Sequence, residues 1–100
     1  MIAIQPTSAV NTPSVLSSAT AIAANDNRLG FNIQNLGTNP LFVLFGSGAS
    51  TSVFHAVLKG GSANDDGLGA SVSQMSGAVY QGIVTIAGTS PRYVVTELGK

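Results

Sequence analysis

The residues of this chain that could carry acid–base or metal chemistry are few: one histidine, His55, and four acids, Asp26, Asp65, Asp66 and Glu97, with no cysteine. A hydrolytic site would have to join His55 to an ordinary serine, and no serine stands in the glycine-flanked elbow that exposes a nucleophile. The run "NDDG" at 64–67 sets two carboxylates beside a glycine. It lacks the alternate-residue spacing and the distant bidentate glutamate of a calcium loop, and it reads as a solvated turn. The longer "KGGSANDDGLG" at 59–69 has the glycines of a phosphate cradle, but no Gly-Lys-Ser/Thr ending and no helix to follow. We therefore expect no enzyme, and no catalytic, cofactor-binding or metal residues. His55 reads as a strand residue at a rim or an interface. Arg28 and Arg92 each open a predicted strand, which gives them structural roles: pairing with Glu97 or an aspartate, or bonding to loop carbonyls.

The elements that would position these residues are β-strands. Glycine, asparagine, proline and serine clusters recur between short runs of valine, isoleucine, phenylalanine and tyrosine. "RLGFNIQN", 28–35, alternates, with Leu29, Phe31 and Ile33 on one face and Gly30, Asn32 and Gln34 on the other. Phe31 and Ile33 are assigned to the core. "NLGTNP", 35–40, then supplies Asn35 and glycine for a turn, and Pro40 fixes the entry to the next strand, so 28–46 reads as a hairpin. Its second arm, Leu41 to Phe45, is apolar on both faces and must be covered twice, by the core and by a second layer, a long loop or another chain. Phe42 and Leu44 are thus interface candidates. In "VFHAVLKGG" Phe54, Ala56 and Leu58 face one way and His55, Val57 and Lys59 the other. Residues 60–78 read as a polar surface excursion. "YQGIVTIAG" and "RYVVTEL" form the last strand pair, turning at Pro91. The expected fold is all-β, a small antiparallel sandwich or barrel, jelly-roll-like, occupying 25–100.

Residues 1–24 are expected as an N-terminal arm or first strand, with 14–24 read as extended rather than helical. The segment is too polar and proline-broken to fold alone, so an arm would lie on a neighbour, adding a strand to an exposed edge, with Ile2 and Ile4 as contact residues. It has no basic start and no uninterrupted apolar run, so no signal peptide is expected, and no stretch is long enough to span a membrane.

Composition narrows the partners. The 100 residues suit one domain; 44% are hydrophobic and only 8% charged, with zero net charge, against about 25% charged in ordinary soluble domains. Four basic residues cannot neutralise a phosphate backbone, so nucleic acid is not an expected partner, and neither is a membrane. A neutral surface favours association, and a homo-oligomer or membership of a larger assembly is expected.

Taken together, "RLGFNIQNLGTNPLFVLFG", "FHAVLKGG" and "GIVTIAGTSPRYVVTEL" resemble a group of small virion proteins of tailed bacteriophages. In that group an Arg-led strand is followed by an "IQNLG-NP-aromatic-Val" segment, and the chain closes on a "V-AG-(S/T)-P-R-aromatic" strand pair. The resemblance spans about residues 28–98. It implies a β-sandwich that decorates or cements the head, bound to the major capsid protein on the outer surface of the capsid after synthesis in the bacterial cytoplasm, with no catalytic residue. Related positions are fibre or tail modules. A rival from another class is a glycan- or receptor-binding sandwich using 60–78 as its recognition loop. Sugar sites favour an aromatic platform; tryptophan is absent and only Tyr80 borders that loop.

Overall fold

A computed structural model describes residues 5–13, 18–75 and 79–99. Among these the chain forms strands and no helix: β1 (Gln5–Pro13), β2 (Ser18–Ile22), β3 (Arg28–Asn35), β4 (Leu41–Phe45), β5 (Ala56–Leu58), β6 (Ser71–Met75), β7 (Val84–Gly88) and β8 (Arg92–Gly99). They build two four-stranded antiparallel sheets, ordered β1-β8-β3-β6 and β2-β7-β4-β5. Strands 1 and 2, 3 and 4, 5 and 6, 7 and 8 lie in opposite sheets, and β4–β5 is the one sequential pair that shares a sheet. This is the winding of an eight-stranded jelly roll, so the expected all-β sandwich is the fold.

The core lies between the sheets. Phe31 and Ile33 of β3, Leu41 and Val43 of β4, Val84 and Ile86 of β7, and Tyr93 and Val95 of β8 are each 2% exposed or less. Phe45 meets Phe31 edge-on, with centroids 5.9 Å apart. Burial of each large apolar side chain is worth roughly 1.5–3 kcal/mol. Phe31 and Ile33 occupy the face their alternation assigns them. Leu29 does not: the β3–β8 register shifts between Arg28 and Gly30, and this bulge brings Arg28 into the interior while Leu29 is only half-buried.

Several expectations are corrected. Residues 28–46 are not a hairpin, because β3 pairs with β6 and β8 while β4 pairs with β5 and β7, and 36–40 cross from one sheet to the other. Likewise β7 and β8 are not partners; the chain changes sheets at 89–91. Phe54 and His55 precede β5 rather than forming part of it. The presumed excursion 60–78 contains β6, an edge strand of serines and half-buried Val72 and Gln74. Its polar outer positions give it the composition of a loop.

The N-terminal segment, expected as an arm or a first strand, supplies an edge strand to each sheet. β1 pairs with β8 and β2 with β7, and Ile22 is 7% exposed within the core. Ile2 and Ile4 lie outside the described residues.

Replacing Phe31 by Ala should cost about 3–5 kcal/mol, since it empties a ring-sized volume between the sheets. Urea denaturation of the two chains measures it, and a loss near 1 kcal/mol or less would contradict this core assignment.

Candidate interaction surface

The polar candidates sit at the two ends of β3. At its start, Arg28 has a side chain with no exposed surface, paired with Glu97 of β8 at 2.8 Å. Its Nε donates to Glu97, Nη1 to the carbonyls of Tyr80 and Gly82, and Nη2 to the Ala23 carbonyl. The guanidinium carbon also lies 5.5 Å from the Phe31 ring centre. Arg28 thus does both things open to it in the sequence, pairing with an acid and bonding loop carbonyls. At the other end of β3, Asn35 is 2% exposed and closes the crossover: Nδ2 donates to the Asn39 and Leu58 carbonyls, and Oδ1 accepts the Gly37 N–H. Pro40, exposed, ends that crossover. A Cβ at Gly69 would strike the Asn35 carbonyl, so the chain entering β6 passes where only glycine fits.

The "NDDG" turn is exposed, but its acids are structural. Arg92 donates to both carboxylate oxygens of Asp65, at 2.8 and 2.7 Å, and this hydrogen bonding holds the Asp65 carboxyl below its ordinary value. Asp66 accepts the N–H groups of Ser62, Ala63 and Leu68. These bonds, Leu68's foremost, lower its carboxyl in the same direction. Both carboxylates are thus bonded within the chain, and among the described residues no three metal-ligating side chains gather.

The face that faces outward from β4 and β5 is apolar. Residues 46–55 fold back over it: Ala49, 4% exposed, donates its N–H to Thr85 Oγ1, which in turn donates to the Gly46 carbonyl. Phe54 lies on Phe42 with centroids 5.1 Å apart. A loop of the same chain is therefore the second cover that the doubly apolar strand requires. Phe42 and Leu44, the expected contact residues, are only half-buried beneath it. The loop and β5 together leave new apolar surface exposed. Val53, Phe54 and Val57 are 51%, 40% and 47% exposed, and Val57 is the cross-strand neighbour of Phe42. This cluster was missed in the sequence because "SVFHAVL" alternates like one continuous strand, which puts Phe54 inside.

His55 ends the β4–β5 ladder. Its Nδ1 accepts the Phe45 N–H at 3.1 Å, the rung that a longer β5 backbone would have supplied, which leaves the ring proton on Nε2. The exposed imidazole stacks on Phe45, which also stacks with Tyr80. Among the described residues, the two ion pairs take up Arg28, Glu97, Arg92 and Asp65, leaving Asp26, Lys59 and Asp66 as the charges outside them.

Arg28→Met should destabilise the fold by about 3–5 kcal/mol, because Glu97 and three carbonyls lose their partner in the interior. Arg28→Lys should rescue little of that, since one ammonium cannot reach four acceptors in three directions. Urea denaturation at neutral pH measures both. For the turn, the folded-state carboxyl of Asp66 titrates below its unfolded value of about 3.9, so the stabilisation is complete above that value and is lost as pH falls through the folded one. The protection factors of the Ser62, Ala63 and Leu68 amides, their exchange rates referred to the intrinsic rate at each pH, should fall as the solution is acidified below about pH 4. In Asp66→Asn those amides should exchange faster throughout, with the acid response gone.

No protein-family model, curated protein or solved structure matches this chain.

Proposed function

We propose that this protein is a non-enzymatic structural component of a tailed-phage virion, a decoration or cement protein that seats on the assembled head through the major capsid protein. The observation that carries the reading is the cluster of Val53, Phe54 and Val57 around Phe42, standing on a surface that keeps few unpaired charges. The jelly-roll winding and the phage-like motifs of β3, β4, β7 and β8 agree with it.

Docking such a cluster removes apolar area from water at about 25 cal/mol per Å². Because the seat exists only where capsid subunits are assembled, each bound copy favours the assembled shell over free subunits by mass action. The task needs shape and apolar area rather than a reacting group.

Co-sedimentation of the purified chain with heads of the phage that encodes it tests the proposal. Saturable binding to heads is expected, and Phe54→Ser with Val57→Ser should weaken it at least about tenfold, equivalent to roughly 1.4 kcal/mol. Recovery only with tails or fibres, or binding to glycans in place of heads, would overturn it.

A further inference from the structure

Each sandwich of open sheets has edges whose unpaired N–H and C=O groups invite another strand, and folded proteins blunt them. Three of the four edges here are blunted. β1 contains Pro6 and Pro13, which lack the N–H, and its register shifts between Pro6 and Ser8. β2 shifts register between Thr20 and Ile22. β5 is only three residues long, and the carbonyls of Leu58 and Lys59 are taken by Asn35 Nδ2 and the Ala70 N–H. β6 has none of these devices. Its sequence, "SVSQM", holds no charge and no proline, and it pairs with β3 without a shift from Gly30↔Met75 to Gln34↔Ser71.

The direction of its free groups follows from the ladder. Asn35 N–H bonds to the Ala70 carbonyl, one step beyond the Gln34↔Ser71 pair. Hydrogen-bonded and non-bonded pairs alternate in an antiparallel ladder, so Val72 and Gln74 turn their backbone groups to β3 while Ser71, Ser73 and Met75 turn theirs outward. Among the described residues, nothing bonds to the outward groups of Ser71 and Ser73. Both serines are also exposed.

We infer that β6 is a self-association edge: two copies of this chain pair their β6 strands antiparallel about a two-fold axis at Ser73, joining two four-stranded sheets into one. The outward residues 71, 73 and 75 are spaced symmetrically about Ser73, so each 71 meets a 75 of the other copy and Ser73 meets its own counterpart. That is the self-complementarity a two-fold contact demands. A second copy also suits the edge electrostatically, since β6 sets no like charges against itself. The inference stands on edge geometry and does not depend on the virion reading.

The test is a charge swap at the axis. Analytical ultracentrifugation of the wild-type chain at micromolar concentration should give twice its 10.0 kDa mass. Ser73→Lys and Ser73→Asp each place like charges directly opposite one another and should each weaken self-association about tenfold or more, while an equimolar mixture of the two regains the dimer. Circular dichroism checks that both variants fold. Amide exchange of the wild-type chain should become slower at Ser71, Ser73 and Met75 as concentration rises, and this readout decides alone if a variant does not fold. A wild-type chain that stays monomeric, variants that dimerise as tightly as wild type, or protection that rises on another strand instead would overturn the inference. Head binding is scored separately: a dimer that ignores heads overturns the virion reading only, and binding by a monomer with an unprotected β6 overturns the dimer only.

Discussion

The sandwich is held at one end by a charge that has no contact with water. Arg28 is taken out of solvent at a cost of several kcal/mol, and the arrangement is tenable because four of its five N–H donors find acceptors in place, at Glu97, Tyr80, Gly82 and Ala23. Those acceptors come from different places in the chain. Ala23 follows β2 and Tyr80 and Gly82 precede β7, both strands of one sheet, while Glu97 sits on β8 of the other. One guanidinium therefore ties the two sheets together and fixes the path of the chain into β3 and β7. The bulge at the start of β3 follows from the same requirement, for without it the alternation would turn Arg28 outward.

Asn35 does the corresponding work at the far end of β3, without charge. Its amide gathers the Gly37 N–H and the carbonyls of Asn39 and Leu58, so the crossover to β4 and the end of β5 are fixed by one buried side chain. Among the described residues every buried side-chain nitrogen or oxygen has a partner. A core with few polar groups, all of them paired, favours one topology over the alternatives that the same apolar strands would permit.

This use of charge inside the molecule shapes the outside. Half of the eight charged residues are spent on two ion pairs, and Asp66 on backbone N–H groups, which leaves Asp26 and Lys59 outside such bonds among the described residues. Two kinds of surface result. The loop over β4 and β5, with Val57 of β5, presents exposed apolar side chains, whereas β6 presents backbone groups that have no partner among the described residues. They belong to opposite sheets but to the same side of the sandwich, where the Ala70 N–H bonds to the Lys59 carbonyl beside β5.

Much of this was legible in the amino-acid sequence. Punctuated β-prone runs, the alternation of Phe31 and Ile33 and the two-faced apolarity of Leu41 to Phe45 determined an all-β sandwich or barrel and its central strands, because each depends on local spacing or composition. Which strands pair was not legible. A turn signal such as "NLGTNP" suits a hairpin and a sheet-to-sheet crossover equally, and only the buried bonds of Asn35 to distant carbonyls select the crossover. β6 stayed hidden because an edge strand with a serine outer face is compositionally a loop. Phe54 was misplaced because an alternating pattern does not reveal where a ladder stops, and here it stops where His55 supplies the last rung. The partner of Arg28, left open between acids and carbonyls, was decided by tertiary structure alone, since its acceptors lie as far as 69 residues away and converge only when the two sheets close.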